Sequence, residues 1–229
     1  MKIYIAHYER LSGRLNSLLR LLRDSGFDTD DVEVSTGLCR TKIVRQHFLD
    51  HTNLDTFRIK HIVSVLGAHP RHLTNLNPAY LANYMNHHDI WRKIACGDDE
   101  LALVLEDDAV TVADCKSIWD TIMPSMPDDL DIAYLHPGCN QTPQMFNVNV
   151  RPDTFWYSMP LRKSRTCCTY LIRKRCASQM ATVKSYTFPV DWDMSFLHNH
   201  FKHNVYWTSP CPFIEGSEGS NGAYPSTVR

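Results

Sequence analysis

The stretch that decides the fold reads LALVLEDDAV and spans residues 101–110. Its first five residues, Leu101 to Leu105, are all apolar, without the alternation of a strand that faces water on one side. Such a run is typical of a strand buried on both faces of a parallel sheet. Three carboxylates, Glu106, Asp107 and Asp108, follow at once. We expect the strand to deliver them to the sheet edge where open α/β folds bind ligands.

Three adjacent acids at one strand end repel one another unless a cation neutralises their charge. Mg²⁺ and Mn²⁺ prefer oxygen ligands and usually retain waters or substrate phosphates in their coordination shell. The residues therefore indicate a site for a divalent metal and a diphosphate. An acidic turn that closes an ordinary strand is the alternative interpretation.

Length and charge narrow the classes of function. A chain of 229 residues has the size of one α/β domain and is long enough to bury a sizeable core. Its 24 basic and 25 acidic residues nearly balance, which argues against nucleic acid or an anionic membrane as the main partner. The apolar run at the amino terminus is too short for a signal peptide, and no stretch approaches the ~20 apolar residues of a membrane span. We expect a soluble, cytoplasmic protein.

The cysteines and histidines give weaker signals. Eight cysteines without a C-x-x-C pair predict reduced, mostly buried thiols rather than disulfides or a zinc site. The twelve histidines are scattered, and most are expected to be solvated or structural.

The amino-terminal segment predicts a strand followed by a helix. Lys2–His7 is the strand, and leucines from Leu11 to Leu22 recur at helical spacing until Gly26 ends the helix. Arg10 and Arg14 lie just after the strand. If this strand is parallel to the one at residue 101, both arginines reach the acidic edge, where a guanidinium can meet a phosphate or a nucleobase. Solvated helix arginines are the alternative.

The middle of the chain continues the α/β alternation. Asn77 followed by Pro78 predicts a helix start, and Gly97 its end. Another helix is predicted over 114–123 and a strand over 131–136. Residues 139–164 are rich in Asn, Gln, Pro and aromatics, which is typical of a lid or binding loop. Within it, the aromatics at 155–157 either stack on a sugar ring or, as we favour, pack the loop down.

The remaining segments are less regular. Val32–Val34 is a short strand candidate, 59–66 is apolar, and the polar, histidine-rich stretch around them predicts a loop over the site. A strand at 169–172 precedes a helix at 174–184 and a last helix that carries several histidines. The tail from 210 to 229 is rich in Gly, Ser and Pro, which indicates either a flexible end or a segment that lies over the site.

Several motifs together resemble glycosyltransferase family 25, the lipooligosaccharide-biosynthesis and collagen-galactosyltransferase enzymes. The resemblance covers about residues 78–215, and its motifs keep the family's order: Asn86–Trp91, Leu103–Asp108, Thr169–Ile172 with Ala177, and Pro189–Trp192. The first loop with its two arginines is also similar. Asn86 stands where the family usually has serine, and the pair Cys167–Cys168 replaces small residues. The chain is similar, too, to the capsid-glycan transferases of large algal viruses.

This resemblance implies a GT-A fold, that is, one α/β domain with a mostly parallel central sheet flanked by helices. A Rossmann-like nucleotide-sugar-binding half would span about residues 1–136, an acceptor half about 137–215, and a tail 216–229. It implies transfer of a hexose from a nucleotide sugar, UDP-sugar by expectation, to a glycan or glycoprotein hydroxyl. Asp108 would bind Mn²⁺ or Mg²⁺, and Glu106 or Asp107 would meet the ribose or a metal-bound water.

Inversion at the anomeric carbon requires a base that takes the proton of the attacking hydroxyl. Asp191 and Asp193 are the candidates, with Asp191 preferred, although an aspartate in the first turn of a helix also serves as a cap. A histidine from the last helix, His198, His200 or His203, would complete the metal shell unless all three are merely solvated.

Two other classes of function fit parts of the pattern. A metal-dependent phosphohydrolase also places acids at strand ends, but it needs further ligands at several strands. A non-catalytic nucleotide-sugar-binding module would keep the acidic motif and lack a working base.

Overall fold

The acidic motif ends the third strand of a mixed sheet. The computed structural model describes residues 1–37, 39–53, 55–66 and 76–217. Across these residues the strands are β1 (Lys2–Ala6), β2 (Val32–Ser35), β3 (Leu101–Glu106), β4 (Ala109–Thr111), β5 (Ile132–Tyr134), β6 (Trp156–Ser158), β7 (Thr169–Arg173), β8 (Val205–Thr208) and β9 (Phe213–Glu215). In the described part of the chain, seven of them form the central sheet in the order β2-β1-β3-β7-β5-β8-β6, and β4 pairs with β9.

Most strands of the central sheet point the same way. β2, β1 and β3 are mutually parallel, β7 is antiparallel to β3 and to β5, and β6 is antiparallel to β8. Among the described strands of the central sheet, only β7 and β6 therefore run opposite to the others. The apolar run behaves as expected, because Ala102 to Leu105 are all fully buried. The predicted α/β class with a mostly parallel, helix-flanked sheet is confirmed.

Helices cover both faces of this sheet. They are α1 (Ser12–Asp24), α2 (Arg45–His51), α3 (Thr56–Leu66), α4 (Pro78–Cys96), α5 (Cys115–Ile122), α6 (Lys174–Met180) and α7 (Val190–Phe201). One core cluster joins α1 and α5 to the sheet, and the other joins α3, α4, α6 and α7 to its opposite face. None of the described helices combines the length and the apolar character that crossing a bilayer requires.

The start of α4 follows the sequence signal closely. The Asn77 side chain accepts hydrogen bonds from the backbone N–H groups of Ala79 and Tyr80, at 2.9 and 3.0 Å. Pro78 occupies the first turn, where its missing N–H costs no hydrogen bond. This cap fixes the position of the helix whose amino-terminal half lines the site described below.

Three described segments differ from, or add to, the sequence-based expectations. The apolar stretch 59–66 belongs to helix α3. The loop 139–164 contains strand β6, where Trp156 and Tyr157 are buried, so these aromatics pack the loop down. The tail adds strand β9 and reaches the site at residue 217. The histidine-rich stretch at 67–75 and the tail from 218 lie outside the described residues.

The cysteines are all unpaired by disulfides. Five of the eight, Cys39, Cys115, Cys167, Cys168 and Cys176, are buried, and Cys96 and Cys139 are exposed. The burial agrees with the prediction of mostly buried thiols, and their reduced state stays a prediction.

Candidate active site

A cavity of about 210 Å³ opens where β1 and β3 end. The two strands are parallel and adjacent, so their carboxyl ends meet at one edge of the sheet, as the sequence predicted. Polar groups converge on the cavity from β1, β3, α1, α4, α7 and the tail. The charged side chains that line it, among the described residues, are Glu106, Asp107, Asp108, Asp191, Glu215, Arg14 and Arg40.

Asp107, the middle acid, is committed to holding the first loop. Its Oδ2 accepts a hydrogen bond from Tyr8 N at 2.9 Å and lies 2.8 Å from His7 Nδ1. Its Oδ1 accepts from Arg14 Nη1 at 3.4 Å. Both oxygens are thus engaged by groups that follow β1. This carboxylate binds the β1–α1 loop to the end of β3, which leaves little capacity for a metal or a ribose.

Glu106 faces helix α4 and the irregular segment just before β7. Its Oε1 accepts from Asn83 Nδ2 at 2.7 Å and lies 3.1 Å both from His87 Nε2 and from Cys167 Sγ. Burial would raise the pKa of Glu106, but the hydrogen bond and charge interaction with His87, and the bonds from Asn83 and Cys167, lower it to about 2. These three donors all reach the same oxygen, and Oε2 is therefore the atom that Glu106 can offer to a ligand.

Asp108 has the opposite environment. Its side chain is 8% exposed, and its Oδ1 is buried with no hydrogen-bond partner among the described residues. Its Oδ2 lies 3.9 Å from Arg14 Nη1. Burial, and then the negative charges of Glu106 and Asp107, raise the pKa of Asp108 to about 7, against the opposing effects of Ser217 and Arg14. An unpartnered carboxylate oxygen among other acids fits an oxygen-preferring divalent cation.

The two predicted arginines differ in position. Arg14 is buried and lines the cavity, as expected. Arg10 lies in the short 3₁₀ turn Glu9–Leu11, is exposed, and is not among the described residues that line the cavity, so its role in cofactor binding stays a prediction. Arg40 lines the cavity instead, with its guanidinium carbon 5.3 Å from the centre of the Tyr8 ring.

Asp191 lines the cavity from the first turn of α7. Burial, and then the negative charge of Glu106, raise the pKa of Asp191 to about 6, while hydrogen bonds from backbone N–H groups of the helix start oppose the shift. A carboxylate with a pKa near 6 is mostly ionised at neutral pH and still basic enough to accept a proton.

Asp193 points away from the cavity into the core. It is fully buried, and its Oδ2 accepts hydrogen bonds from Thr187 N at 3.0 Å and Phe188 N at 3.5 Å. Its Oδ1 lies 3.6 Å from Arg58 Nη1. Asp193 therefore joins the loop before α7 to α3, and it does not line the cavity that Asp191 lines.

The three predicted histidine ligands do not reach the acidic edge. His198 is fully buried against Tyr134, His203 lies beside it, and His200 is exposed. His198 follows Asp191 by seven residues, which is about 10 Å along a helix axis. The structure therefore places none of the three in the cavity that Asp108 lines, and their role as ligands of a metal at Asp108 stays a prediction.

Sequence reasoning missed several residues of the site. Asn83 and His87 lie one helical turn apart on α4, so polar residues on an otherwise apolar helix face were a usable signal. The signal for His7 was weaker and consisted only of its position directly after β1. No signal in the sequence indicated Arg40, Cys167 or Glu215, because their positions depend on loops and on the pairing of β9 with β4.

Comparisons with known proteins give distant structural likenesses. No family model and no curated protein matches this chain. A glycosyltransferase involved in glycosylation of the PBCV-1 major capsid is similar at 8% identity and a TM-score of 0.46, over 97% of this chain and 95% of that one. The galactosyltransferase LgtC, in complex with donor and acceptor sugar analogues, is similar at 12% identity and 0.40, over 90% and 73%. The inositol-1-phosphate CTP transferase of T. maritima is similar at 12% identity and 0.42, over 100% and 93%. Because these TM-scores are low, the fold assignment rests on the strand order of the chain itself.

Proposed function

We propose that this chain is a metal-dependent glycosyltransferase of the GT-A type. It moves a hexose from a nucleoside-diphosphate sugar, UDP-sugar by preference, to a hydroxyl of a glycan or glycoprotein, with inversion at the anomeric carbon. The motifs that resemble family 25 support this reaction class.

One observation carries the proposal. Asp108 Oδ1 is a buried carboxylate oxygen without a hydrogen-bond partner among the described residues, and it lies in a cavity that other carboxylates line. A buried, unpartnered anionic atom is costly unless a ligand compensates it. The donor set of Asp108, with Oε2 of Glu106 beside it, consists of hard oxygens and suits Mn²⁺ or Mg²⁺. When bound, the cation would supply positive charge against the departing diphosphate.

The basic side chains favour a diphosphate as the ligand. Arg14, in the first turn of α1, and Arg40, in the segment that follows β2, both line the cavity. A guanidinium donates paired N–H groups that match phosphate oxygens. The ring of Tyr8, also in the lining, offers an apolar face beside Arg40. These groups fit a nucleoside diphosphate better than a simple phosphate ester.

Asp191 acts as the base for the acceptor hydroxyl. Its carboxylate takes the proton of the acceptor hydroxyl as that oxygen forms a bond to the anomeric carbon, while the bond from this carbon to the diphosphate oxygen breaks. The electron pair of the broken bond leaves with the nucleoside diphosphate, whose charge the cavity-lining Arg14 and Arg40 would balance. A single base on the acceptor side, with displacement from the opposite face, gives inversion.

The test is incubation of the purified protein with a panel of nucleotide sugars, with Mn²⁺, Mg²⁺ or EDTA. We expect slow hydrolysis of one donor without acceptor, faster transfer with an acceptor, and loss of both in EDTA. Phosphate release from a non-nucleotide ester would indicate a phosphohydrolase, and nucleotide-sugar binding without turnover a binding module. Full activity in EDTA would contradict the metal site.

A further inference from the structure

A second cluster of metal-binding side chains lies in the core, outside the cavity. It consists of Cys176 on α6, His198 near the end of α7, and His203 just after that helix. Their side chains are 0%, 0% and 2% exposed. The two histidines have the spacing H-x₄-H, which falls within the range common among zinc ligands. None of the three lines the proposed donor site.

The inward-facing atoms of this cluster have separations close to those of a zinc site. His198 Nδ1 and His203 Nδ1 are 3.0 Å apart, and Cys176 Sγ is 3.4 Å from His203 Nδ1. All three atoms lie within 4.8 Å of one another. A tetrahedral Zn²⁺ with Zn–N of ~2.0–2.1 Å and Zn–S of ~2.3 Å keeps its ligand atoms roughly 3.3–3.6 Å apart. For the two pairs of atoms that include His203 Nδ1, shifts of a few tenths of an ångström would therefore accommodate the ion.

The outward-facing nitrogens are held in the way that metal-bound imidazoles usually are. His203 Nε2 lies 2.8 Å from Gln179 Oε1, and His198 Nε2 lies 2.8 Å from Tyr134 OH. Gln179 Oε1 can only accept, so His203 donates its Nε2–H to it and the Nδ1 of that ring turns a lone pair inward. Metal ligands commonly donate their second ring N–H to such a partner, which fixes ring orientation. If both Nε2 atoms donate, two lone pairs face each other at 3.0 Å, and a cation between them removes the repulsion.

We propose that Cys176, His198 and His203 bind one structural Zn²⁺ ion through Sγ and the two Nδ1 atoms. A thiolate with two imidazoles selects zinc over the hard ions expected at Asp108. The Cys176 thiol loses its proton when the metal binds. Met180 Sδ, 3.7 Å from Cys176 Sγ, provides a second soft atom for the fourth position.

The site would tie α6 to the carboxyl end of α7. Helix α7 carries Asp191 at its other end, so a metal here would fix the helix that positions the proposed base. A metal-free chain of hydrogen bonds from Tyr134 through both histidines to Gln179 is the competing arrangement of the same atoms. It predicts no metal content at all.

Cobalt spectroscopy separates the two arrangements. The protein is unfolded in guanidinium with EDTA, freed of chelator, and refolded with Co²⁺. We expect one equivalent of Co²⁺, with the visible bands of a tetrahedral site and a thiolate-to-cobalt charge-transfer band, and displacement of both by Zn²⁺. Protein purified without added metal is expected to contain about one zinc per chain. Absence of the charge-transfer band in refolded wild-type protein would overturn the proposal and indicate the hydrogen-bonded chain.

Variants locate the metal. Cys176→Ser and His203→Asn are expected to abolish the band, whereas the exposed controls Cys96→Ser and His200→Asn are expected to retain it. Cys167→Ser is the necessary third control, because Cys167, His87 and Glu106 form another group of nearby ligand atoms in the cavity. A band that disappears in Cys167→Ser and persists in Cys176→Ser would overturn the proposal. If Cys176→Ser does not refold, the wild-type and Cys167→Ser spectra still decide.

Discussion

His7 Nδ1 and Asp107 Oδ2 are 2.8 Å apart, and this contact joins the residue after β1 to the residue after β3. With the bond from Tyr8 N to the same oxygen, it fixes the loop that carries Arg14 into the cavity. The middle carboxylate of the acidic motif is therefore held by structural contacts, between two carboxylates that line the cavity.

The first prediction concerns Asp107. We expect Asp107→Asn to lower the free energy of unfolding by about 1–3 kcal/mol, because it removes one acceptor from a buried, charge-assisted network. Its effect on Mn²⁺ affinity is expected to be smaller than that of Asp108→Asn. Thermal unfolding and calorimetric titration with Mn²⁺ check both quantities. Unchanged stability together with complete loss of metal binding would identify Asp107 as a ligand.

The second prediction concerns Asp108. Its pKa is about 7 in the folded protein, above the usual 3.8. In EDTA the folded state therefore loses stability as the pH rises from about 4 through 7, because it must bury a charge. Asp108→Asn carries no such charge, and we expect its melting temperature to exceed that of wild type at pH 8 and to approach it at pH 4. Mn²⁺ and UDP binding should both weaken.

The opposite effect of Asp108→Asn on the melting temperature would contradict the proposed environment of this carboxylate. If Asp108→Asn melts lower than wild type at pH 8 in EDTA, the carboxylate has a partner that stabilises its charge. Glu106→Gln is the matched variant, because the pKa of Glu106 is lowered and its charge is already stabilised by neighbours. It should lower stability at pH 8 where Asp108→Asn raises it.

The sequence predicted the sheet edge because a strand that is buried on both faces consists of an uninterrupted run of apolar residues. Leu101 to Leu105 needed no polar face, and the acids after them had to emerge where β3 ends. The cap at Asn77 was similarly local, since its hydrogen bonds join residues two and three positions apart. Features that depend on a few adjacent residues could therefore be predicted from the sequence.

Features that depend on pairing between distant segments could not be predicted from the sequence. The direction of β7 relative to β3 cannot be read from its apolar run, and the 3₁₀ turn after β1 turns Arg10 outward. The histidines near the end of the chain matched a ligand pattern, but His198 and His203 belong to another part of the core and His200 is exposed. Asp191 and Asp193 are two residues apart and were nearly equivalent candidates until the orientation of α7 placed one at the cavity and one beside Arg58.

The third prediction concerns that ion pair. Arg58 lies in α3, its side chain is 15% exposed, and its Nη1 lies 3.6 Å from the fully buried Asp193 Oδ1. Arg58→Ala leaves this carboxylate without its cation, and we expect a loss of about 1–3 kcal/mol in the free energy of unfolding at pH 8. The loss should shrink below pH 6, where Asp193, whose pKa burial raises to about 6, takes up a proton. Denaturant unfolding at both pH values measures it.

Lys60→Ala provides the control for this experiment, because Lys60 is exposed on the same helix. An equal loss in both variants would show that helix propensity, and not the buried pair, determines the effect. Turnover per folded molecule of Arg58→Ala should stay within a few-fold of wild type, since neither Arg58 nor Asp193 lines the cavity.

The last prediction separates the two aspartates of α7 by function. Asp191→Asn keeps the shape of the side chain but cannot accept a proton, so we expect turnover to fall by roughly 10² to 10⁴ while UDP and Mn²⁺ binding stay near normal. Asp193→Asn should instead lower stability and leave the turnover of folded protein within a few-fold of wild type. Rates, calorimetry with UDP and Mn²⁺, and unfolding curves on both variants provide the measurements.

The pH profile adds an independent criterion for Asp191. A base must be ionised to act, and burial together with the charge of Glu106 raises the pKa of Asp191 to about 6. We therefore expect wild-type kcat/KM to fall tenfold per pH unit below about 6, and this acidic limb to be missing from the residual activity of Asp191→Asn. If that variant keeps near-normal turnover, Asp191 only stabilises the start of α7. If it loses UDP binding as severely as Asp108→Asn, Asp191 belongs to the donor site, and the base must be sought elsewhere around the cavity, where Glu215 is the remaining carboxylate among the described lining residues.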